Sequence, residues 1–489
     1  MKNRIIASVL LITFVLGIIE MDTEASQPYT SYNYDYWENI VFTPEPYFSE
    51  ETVTGQELGI GGFATPNDFC VAPNGDLYIA DTGNNRIVVI NGKTKKISKI
   101  IDGFERAGEK DFFNTPYGVC VSENEKIYIA DKENKRIVVL DLDGSFIEII
   151  DNPVSDVLTD DFVFKPLKIT VDYADRVYCI AQNMFEGIMV FETNGEFSGF
   201  FGTINVSLSF AEKFWKKIAT KEERKNQTLY IATEFTGIDV DSGGFIYATN
   251  IDEVGKQGVR RLNPSGQDVI KKGWNENLNG DLQIGGATEF AGPSQITDVV
   301  YRDMGIYSLL DRKRGRIFTY DHEGNLLYVF GGLGKQEGTF VTPVAIEQWG
   351  ESLIILDATR AEIYVFEPTE YGRLINEAVG LRFDGDEELA VPLWKRVIAL
   401  DEYNELANTG IGKAYLSAGE NELAMEYLLR GMNRSYYSIA FKRYRNAFLK
   451  DQLGLILTLL FIFIIGIKIF GVVRRKKKGI AKKGDILNE

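Results

Sequence analysis

Apolar and polar residues alternate in short runs through the first three quarters of the chain, and one run keeps returning. PNDFCVAPNGDLYIADTGNNRIVVI starts at Pro66, PYGVCVSENEKIYIADKENKRIVVLDLDG at Pro116 and PLKITVDYADRVYCIAQNMFEGIMVFETNG at Pro166. Looser copies begin at Phe235, Ile296 and Pro343. Each copy reads as alternating strand, polar turn, aromatic or β-branched strand, then a Gly turn; a period of two broken by turn residues predicts short antiparallel strands. A repeat that cannot bury its apolar faces alone must stack on its neighbours, and a unit of about four short strands is a propeller blade. Six copies therefore predict an all-β six-bladed propeller. The stretch TVTGQELGIGGF, before the first copy, matches the later connector FGGLGKQEGTF. It is expected to supply the outer strand of the last blade, tying residues near 50 to residues near 375 and removing the exposed edges.

Two longer apolar runs break this pattern. Residues 1–25 have two early cations and an apolar run from Ile5 to Ile19, too short to span and suited to a signal peptide, with Ala25 and Ser26 as the cleavage point. Residues 453–473 carry a single charge, Lys468, and predict a transmembrane helix. The block RRKKKGIAKK that follows is expected to be cytoplasmic, which places residues from about 26 to 450 outside. Lys442, Arg443, Arg445 and Lys450 on the other flank are a smaller, competing signal. The predicted order is a signal peptide (1–25), an N-terminal extension (26–55), the propeller (56–383), a helical segment (384–450), the membrane helix and a basic tail (474–489). Within the propeller, residues 207–228 place Phe210, Phe214, Trp215 and Ile218 at helical spacing, predicting an amphipathic helix on one rim. A second long connector, Lys271 to Gly292, carries Trp274.

The net charge of −17 understates the acidity of the folded part. From Lys468 onward eight Lys/Arg face two Asp/Glu, a net of +6, which leaves −23 on the rest. Such a body repels nucleic acid. Cys70, Cys120 and Cys179 each sit in an apolar, strand-like run and read as small buried hydrophobes rather than a disulfide framework. The chain has one histidine, His322, which excludes a His-based triad or a multi-histidine zinc site. No phosphate loop, nucleophile elbow or CxxC pair appears, and no catalytic set is assigned.

The copies resemble the NHL-repeat family of TolB-like propellers, whose blades read Y-I-A-D then N-x-R-I. Tyr78-Ile79-Ala80-Asp81 with Asn85-Arg86-Ile87, and Tyr128-Ile129-Ala130-Asp131 with Arg136-Ile137, carry the likeness. It continues in part as Asp311 with Arg316, and as Asp357 without the arginine, because Glu362 stands there; the third and fourth copies lack the pair. The recurrence implies a structural role: each Asp accepts backbone N–H bonds in a turn and pairs with Arg to lock its blade. In the segment 384–450, Gly412, Tyr415, Gly419, Ala424 and Leu428 resemble the small and large positions of a tetratricopeptide unit, implying a short helical stalk.

Repeat alignment places Asp68, Gly118, Lys168, Gly237, Asp298 and Ala345 at one mouth of the central channel, with Asn67, Tyr117 and Thr297 beside them. Asp68, Tyr117, Lys168 and Asp298 are the candidate ligand-binding residues; a hydrated, charge-balanced mouth is the plainer alternative. No cofactor is expected. Resemblance to gluconolactonase-like propellers would give Asn67, Asp68 and Asp298 part of a site for Ca²⁺ or a similar divalent ion, with no equivalent for a metal-binding Glu. The histidine-bound zinc of the related peptidyl-hydroxyglycine lyase has no counterpart. The early segment SYNYDYWENIVFTPEPY also resembles propellers of Gram-positive bacteria found alongside sugar importers. The expected function is a membrane-anchored binding or scaffolding module for a protein partner or a glycan, the alternative a metal-dependent lactonase.

Overall fold

The computed structural model describes residues 27–158, 162–202, 234–252, 257–272, 279–282, 285 and 290–485, with side chains as far as residue 476. The expected signal peptide, the helix at 207–228 and Trp274 lie outside the described residues.

The six copies form six antiparallel sheets arranged as blades. Their inner strands are Asp68–Val71, Pro116–Val121, Pro166–Val171, Phe235–Val240, Ile296–Tyr301 and Pro343–Trp349, each packed against the next and the last against the first. Blades 1, 2 and 3 have four strands in sequence order, and three strands of blade 4 are described. The second and third strands are almost wholly buried, as in Lys126–Asp131 and Arg136–Asp141, because a middle strand has a neighbouring blade on both faces. Apolar clusters accordingly cross the blade boundaries: Tyr78, Ile87 and Val89 of blade 1 pack with Val119, Ile127 and Val138 of blade 2.

Ring closure follows the expectation, with a shift in position. The outer strand of blade 6 is Tyr47–Thr54, which pairs antiparallel with Glu362–Pro368, so the tie falls at residues 47–54 and 362–368. Residues 45–55 of the extension thus belong to the propeller, whereas Tyr34–Pro44 group with the helical unit. Tyr32 of the extension also pairs with Val329 on the outer strand of blade 5, a contribution the repeats did not announce.

The expected locks are present, with one change of partner. Asp81 takes the Ala64 N–H at 2.7 Å on one oxygen and Asn84 and Arg86 on the other. Asp131 repeats this with the Asn114 N–H, Asn134 and Arg136. Asp357, without an arginine, takes four backbone N–H groups, from Val341, Thr342, Thr359 and Arg360. The bonds to Ala64, Asn114, Val341 and Thr342 tie the end of the second strand to the loop that enters its own blade, and the others hold the turn into the third strand. In blade 5 Asp311 takes the Gln295 N–H but pairs with Arg314 at 3.4 Å, not with Arg316. Arg316 instead donates to the Thr30 and Gly331 carbonyls and lies over the Tyr32 ring, because the added N-terminal strand offers acceptors there.

The second unit contains five helices among the described residues: α1 (Glu370–Phe383), α2 (Glu387–Leu400), α3 (Glu405–Ser417), α4 (Asn421–Arg430) and α5 (Arg434–Asp485). Helix α1 begins inside the range 56–383 assigned to the propeller, because the last strand ends at Pro368. Consecutive helices pack on each other through small residues. A Cβ on Gly410 would sit 2.6 Å from the Trp394 ring, and one on Gly412 2.6 Å from Leu428 Cγ. Asn404 starts α3 by accepting the Ala407 N–H, and its amide reaches Tyr371 and Asp401. Helix α5 is long and apolar enough to cross a membrane, and its apolar stretch is not buried in protein.

Candidate functional site

The channel is lined by alternate residues of the inner strands, so it is built in levels two residues apart. At the first level, blades 1, 3 and 5 contribute Asp68, Lys168 and Asp298. Lys168 Nζ lies 2.8 Å from Asp68 Oδ1 and 3.0 Å from Asp298 Oδ2. All three side chains are less than 10% exposed. Blades 2, 4 and 6 contribute Gly118, Gly237 and Ala345, which leave room for the long side chains to meet. A Cβ on Gly237 would lie 2.5 Å from Asp298 Oδ1.

The carboxylates also serve the neighbouring blades. Asp68 accepts the Val119 N–H of blade 2 at 3.3 Å, and Asp298 accepts the Ile346 N–H of blade 6 at 3.0 Å. An inner strand is the edge of its sheet, and these side chains satisfy edge N–H groups that no further strand can reach. Burial pushes Asp298 up to about 6 despite the ammonium beside it, and pushes Asp68 in the same direction. The two carboxylates outweigh burial at Lys168 and hold its ammonium well above the ordinary lysine range. Tyr117 stands close enough to feel the charges of Lys168 and Asp68, its hydroxyl raised chiefly by burial, with Lys132 Nζ 4.8 Å from its ring centre. The structure therefore brings all four candidate residues together.

The donor set does not fit a divalent metal. The Lys168 ammonium occupies the space between the two carboxylates, and the Asn67 amide donates to the Thr65 carbonyl at 2.9 Å. Among the described residues no group of three or more His, Cys, Asp or Glu is arranged to hold an ion.

Sequence reasoning missed the second level, two residues further along each strand: Cys70, Cys120, Thr170, Asp239, Val300 and Glu347. The same period of two that gave the first level points to these positions. Cys70, Cys120, Asp239 and Glu347 are half-buried, so this level is more open than the one above. Asp239 accepts the Tyr301 N–H of blade 5 at 2.6 Å and the N–H of Val240, and burial with nearby Asp298 and Asp241 raises it to about 7. Glu347 accepts only the adjoining Gln348 N–H at 2.9 Å among the bonds seen, and burial first, then Asp239, holds its carboxyl well above the ordinary range. Two carboxyls whose proton affinity burial raises are the chemically distinctive groups of the channel.

A family model described as NHL repeat matches residues 63–90 and 113–140. The chain carries NHL repeats. The matched stretches cover the first three strands of blades 1 and 2, where the full Asp–Asn–Arg locks occur. No curated protein matches the chain. Among solved structures, virginiamycin B lyase from Staphylococcus aureus is 12% identical, with a TM-score of 0.41, over 65% of this chain and 99% of the lyase. A putative gluconolactonase is 11% identical, with a TM-score of 0.41, over 67% and 94%. The PQQ-bound aldose sugar dehydrogenase from Streptomyces coelicolor is 13% identical, with a TM-score of 0.39, over 66% and 97%. Likeness at this level assigns no chemistry to the present chain.

Proposed function

We propose that the protein is a membrane-anchored propeller acting outside the cell membrane as a binding or scaffolding module for a protein partner or a glycan. The observation that carries this reading is the internally closed channel mouth. Lys168 pairs with both Asp68 and Asp298, and the remaining carboxylate bonds go to blade edges, so these three residues are engaged in holding the ring. A surface available for recognition lies elsewhere, on the early segment that resembles propellers found beside sugar importers. There Asp35 accepts the N–H groups of Trp37 at 2.9 Å and Asn39 at 2.8 Å, forming a fixed turn that presents Trp37 at 70% exposure, with Phe42 at 71% nearby in sequence. A rigid exposed tryptophan suits either sugar stacking or insertion into a protein pocket.

Crosslinking and affinity purification of the full-length protein from its native membrane test the reading. A transport or solute-binding component recovered with the native chain and lost with Trp37→Ala supports it; recovery of the protein alone overturns it. The topology is tested separately: protease added to intact cells should cut the propeller and spare the residues after 473.

One observation favours the alternative of a lactonase or other hydrolase: the Asp239 carboxyl, near 7 in an open part of the channel, has the proton affinity of a general acid or base. Lactone turnover by the purified protein that falls at least about a hundredfold in Asp239→Asn would establish it. Absence of turnover across a lactone panel removes it.

A further inference from the structure

We propose that Cys70 and Cys120 form a reversible disulfide inside the channel, a redox site that ties blade 1 to blade 2. The two residues occupy the same position fifty residues apart, opposite Tyr78 and Tyr128 in the registers of their blades. Their strands are neighbours around the ring, and at the second level Cys70 packs beside the apolar cluster shared by blades 1 and 2 while Cys120 packs beside that of blades 2 and 3, each with partial exposure. The Val121 N–H, one residue beyond Cys120, donates to Cys70 Sγ at 3.3 Å, which puts that sulfur against the backbone of Cys120, and the Cys120 thiol is near enough to raise the Cys70 thiol. Both cysteines are free and half-buried, whereas Cys179, on the second strand of blade 3, is buried. All three cysteines pack as small hydrophobes, but only Cys179 is fully buried, and Cys70 and Cys120 keep partial exposure.

Inner strands of adjacent blades share no backbone ladder, and at this level of the boundary the Cys70–Val121 bond is the contact that crosses it. A covalent link there would join two sheets otherwise held by side-chain packing and by hydrogen bonds such as those of Asp68 with the Val119 N–H and Asn85 with the Thr115 N–H. The oxidant is a low-molecular-mass disulfide entering the channel. One cysteine, as thiolate, attacks a sulfur of the small disulfide, whose S–S bond breaks and releases one thiol. The second cysteine then attacks the protein-bound sulfur, forms the Cys70–Cys120 bond and releases the second thiol. The cysteines lose two electrons, the small disulfide gains them, and both protons leave on the two thiols. Its neighbour and burial hold the Cys70 thiol protonated, so the reaction is slow at neutral pH and speeds up with alkali.

The test is differential alkylation and peptide mass spectrometry of the full-length protein in detergent, before and after incubation with glutathione disulfide at pH 7 and pH 9. The expected result is loss of two of the three thiols, faster at pH 9, with a Cys70–Cys120 crosslinked peptide that dithiothreitol reverses and Cys179 still alkylatable after denaturation. Retention of all three thiols, or glutathione on either cysteine with no crosslink, overturns the proposal. The native chain alone decides it; in Cys120→Ser, correctly folded by circular dichroism, the crosslink must vanish while Cys70 stays free or carries glutathione.

Discussion

Blades 1 and 2 and blades 3 and 4 solve one problem at opposite rims of the ring. In the first pair an aspartate at the end of the second strand, Asp81 or Asp131, gathers a backbone N–H, an asparagine and an arginine. The same position holds Ala181 in blade 3 and Asn250 in blade 4. There the acid stands at the other end of the blade, in the turn between the first and second strands. Asp172 takes the N–H groups of Ala174 and Arg176 and pairs with the Arg176 guanidinium. Asp241 takes those of Gly243 and Phe245 and pairs with Arg261. Blades 1 and 2 have Ala72 and Ser122 at that place. A buried carboxylate that organises a turn and an arginine is thus kept in all four blades, while its rim changes. A motif built on Y-I-A-D describes one rim only, and the family match covers the two blades in which the aspartate, asparagine and arginine of that rim occur together.

The sharpest break of this comparison comes from the residue that blade 3 adds to the centre. Lys168→Met would leave Asp68 and Asp298 buried without their cation and should cost about 3–5 kcal/mol in chemical denaturation. A loss below about 1 kcal/mol would mean that the triad is not what holds the first level. Next, Asp131→Ala strands the Asn114 N–H and the Arg136 guanidinium, which retains Asp111, and is expected to cost about 2–4 kcal/mol. Asp172→Ala is the matched change at the other rim, with about 1–3 kcal/mol expected because its arginine is more exposed. If Asp172→Ala proves neutral while Asp131→Ala does not, the two acids are not equivalent and the comparison fails.

The smallest effect is a pH slope from blade 4. The folded protein holds a proton on Asp239 up to about pH 7, whereas an unfolded aspartate releases it near its ordinary value of 3.8. Between those values the native state binds more protons, so stability falls as pH rises and levels off above about 7. Glu347 acts in the same direction. Melting temperatures measured from pH 4.5 to 8 should decline, and the decline should be shallower in Asp239→Asn. An unchanged slope in that variant would show that Asp239 is already ionised in the native state.

Much of this molecule was legible in the chain because its signals are local and repeated. Alternation of apolar residues with turn residues, repeated at fifty residues in the first three copies and at about 47 to 69 thereafter, determined the strands, the six blades and the six first-level channel positions. An apolar run from Leu453 to Val473 determined the candidate membrane helix. Tertiary structure decided which side chains meet. Asp68 and Lys168 are a hundred residues apart, and their 2.8 Å contact exists because the ring places blades 1 and 3 across a gap that Gly118 leaves open. The exchange of Arg316 for Arg314 beside Asp311 depended on an N-terminal strand arriving from almost three hundred residues away. The second level with its thiol pair was present in the alternation, yet its meaning was not. A cysteine in an apolar run looks the same whether its strand lies inside a blade or along the channel, and only the closed ring distinguishes Cys70 and Cys120 from Cys179.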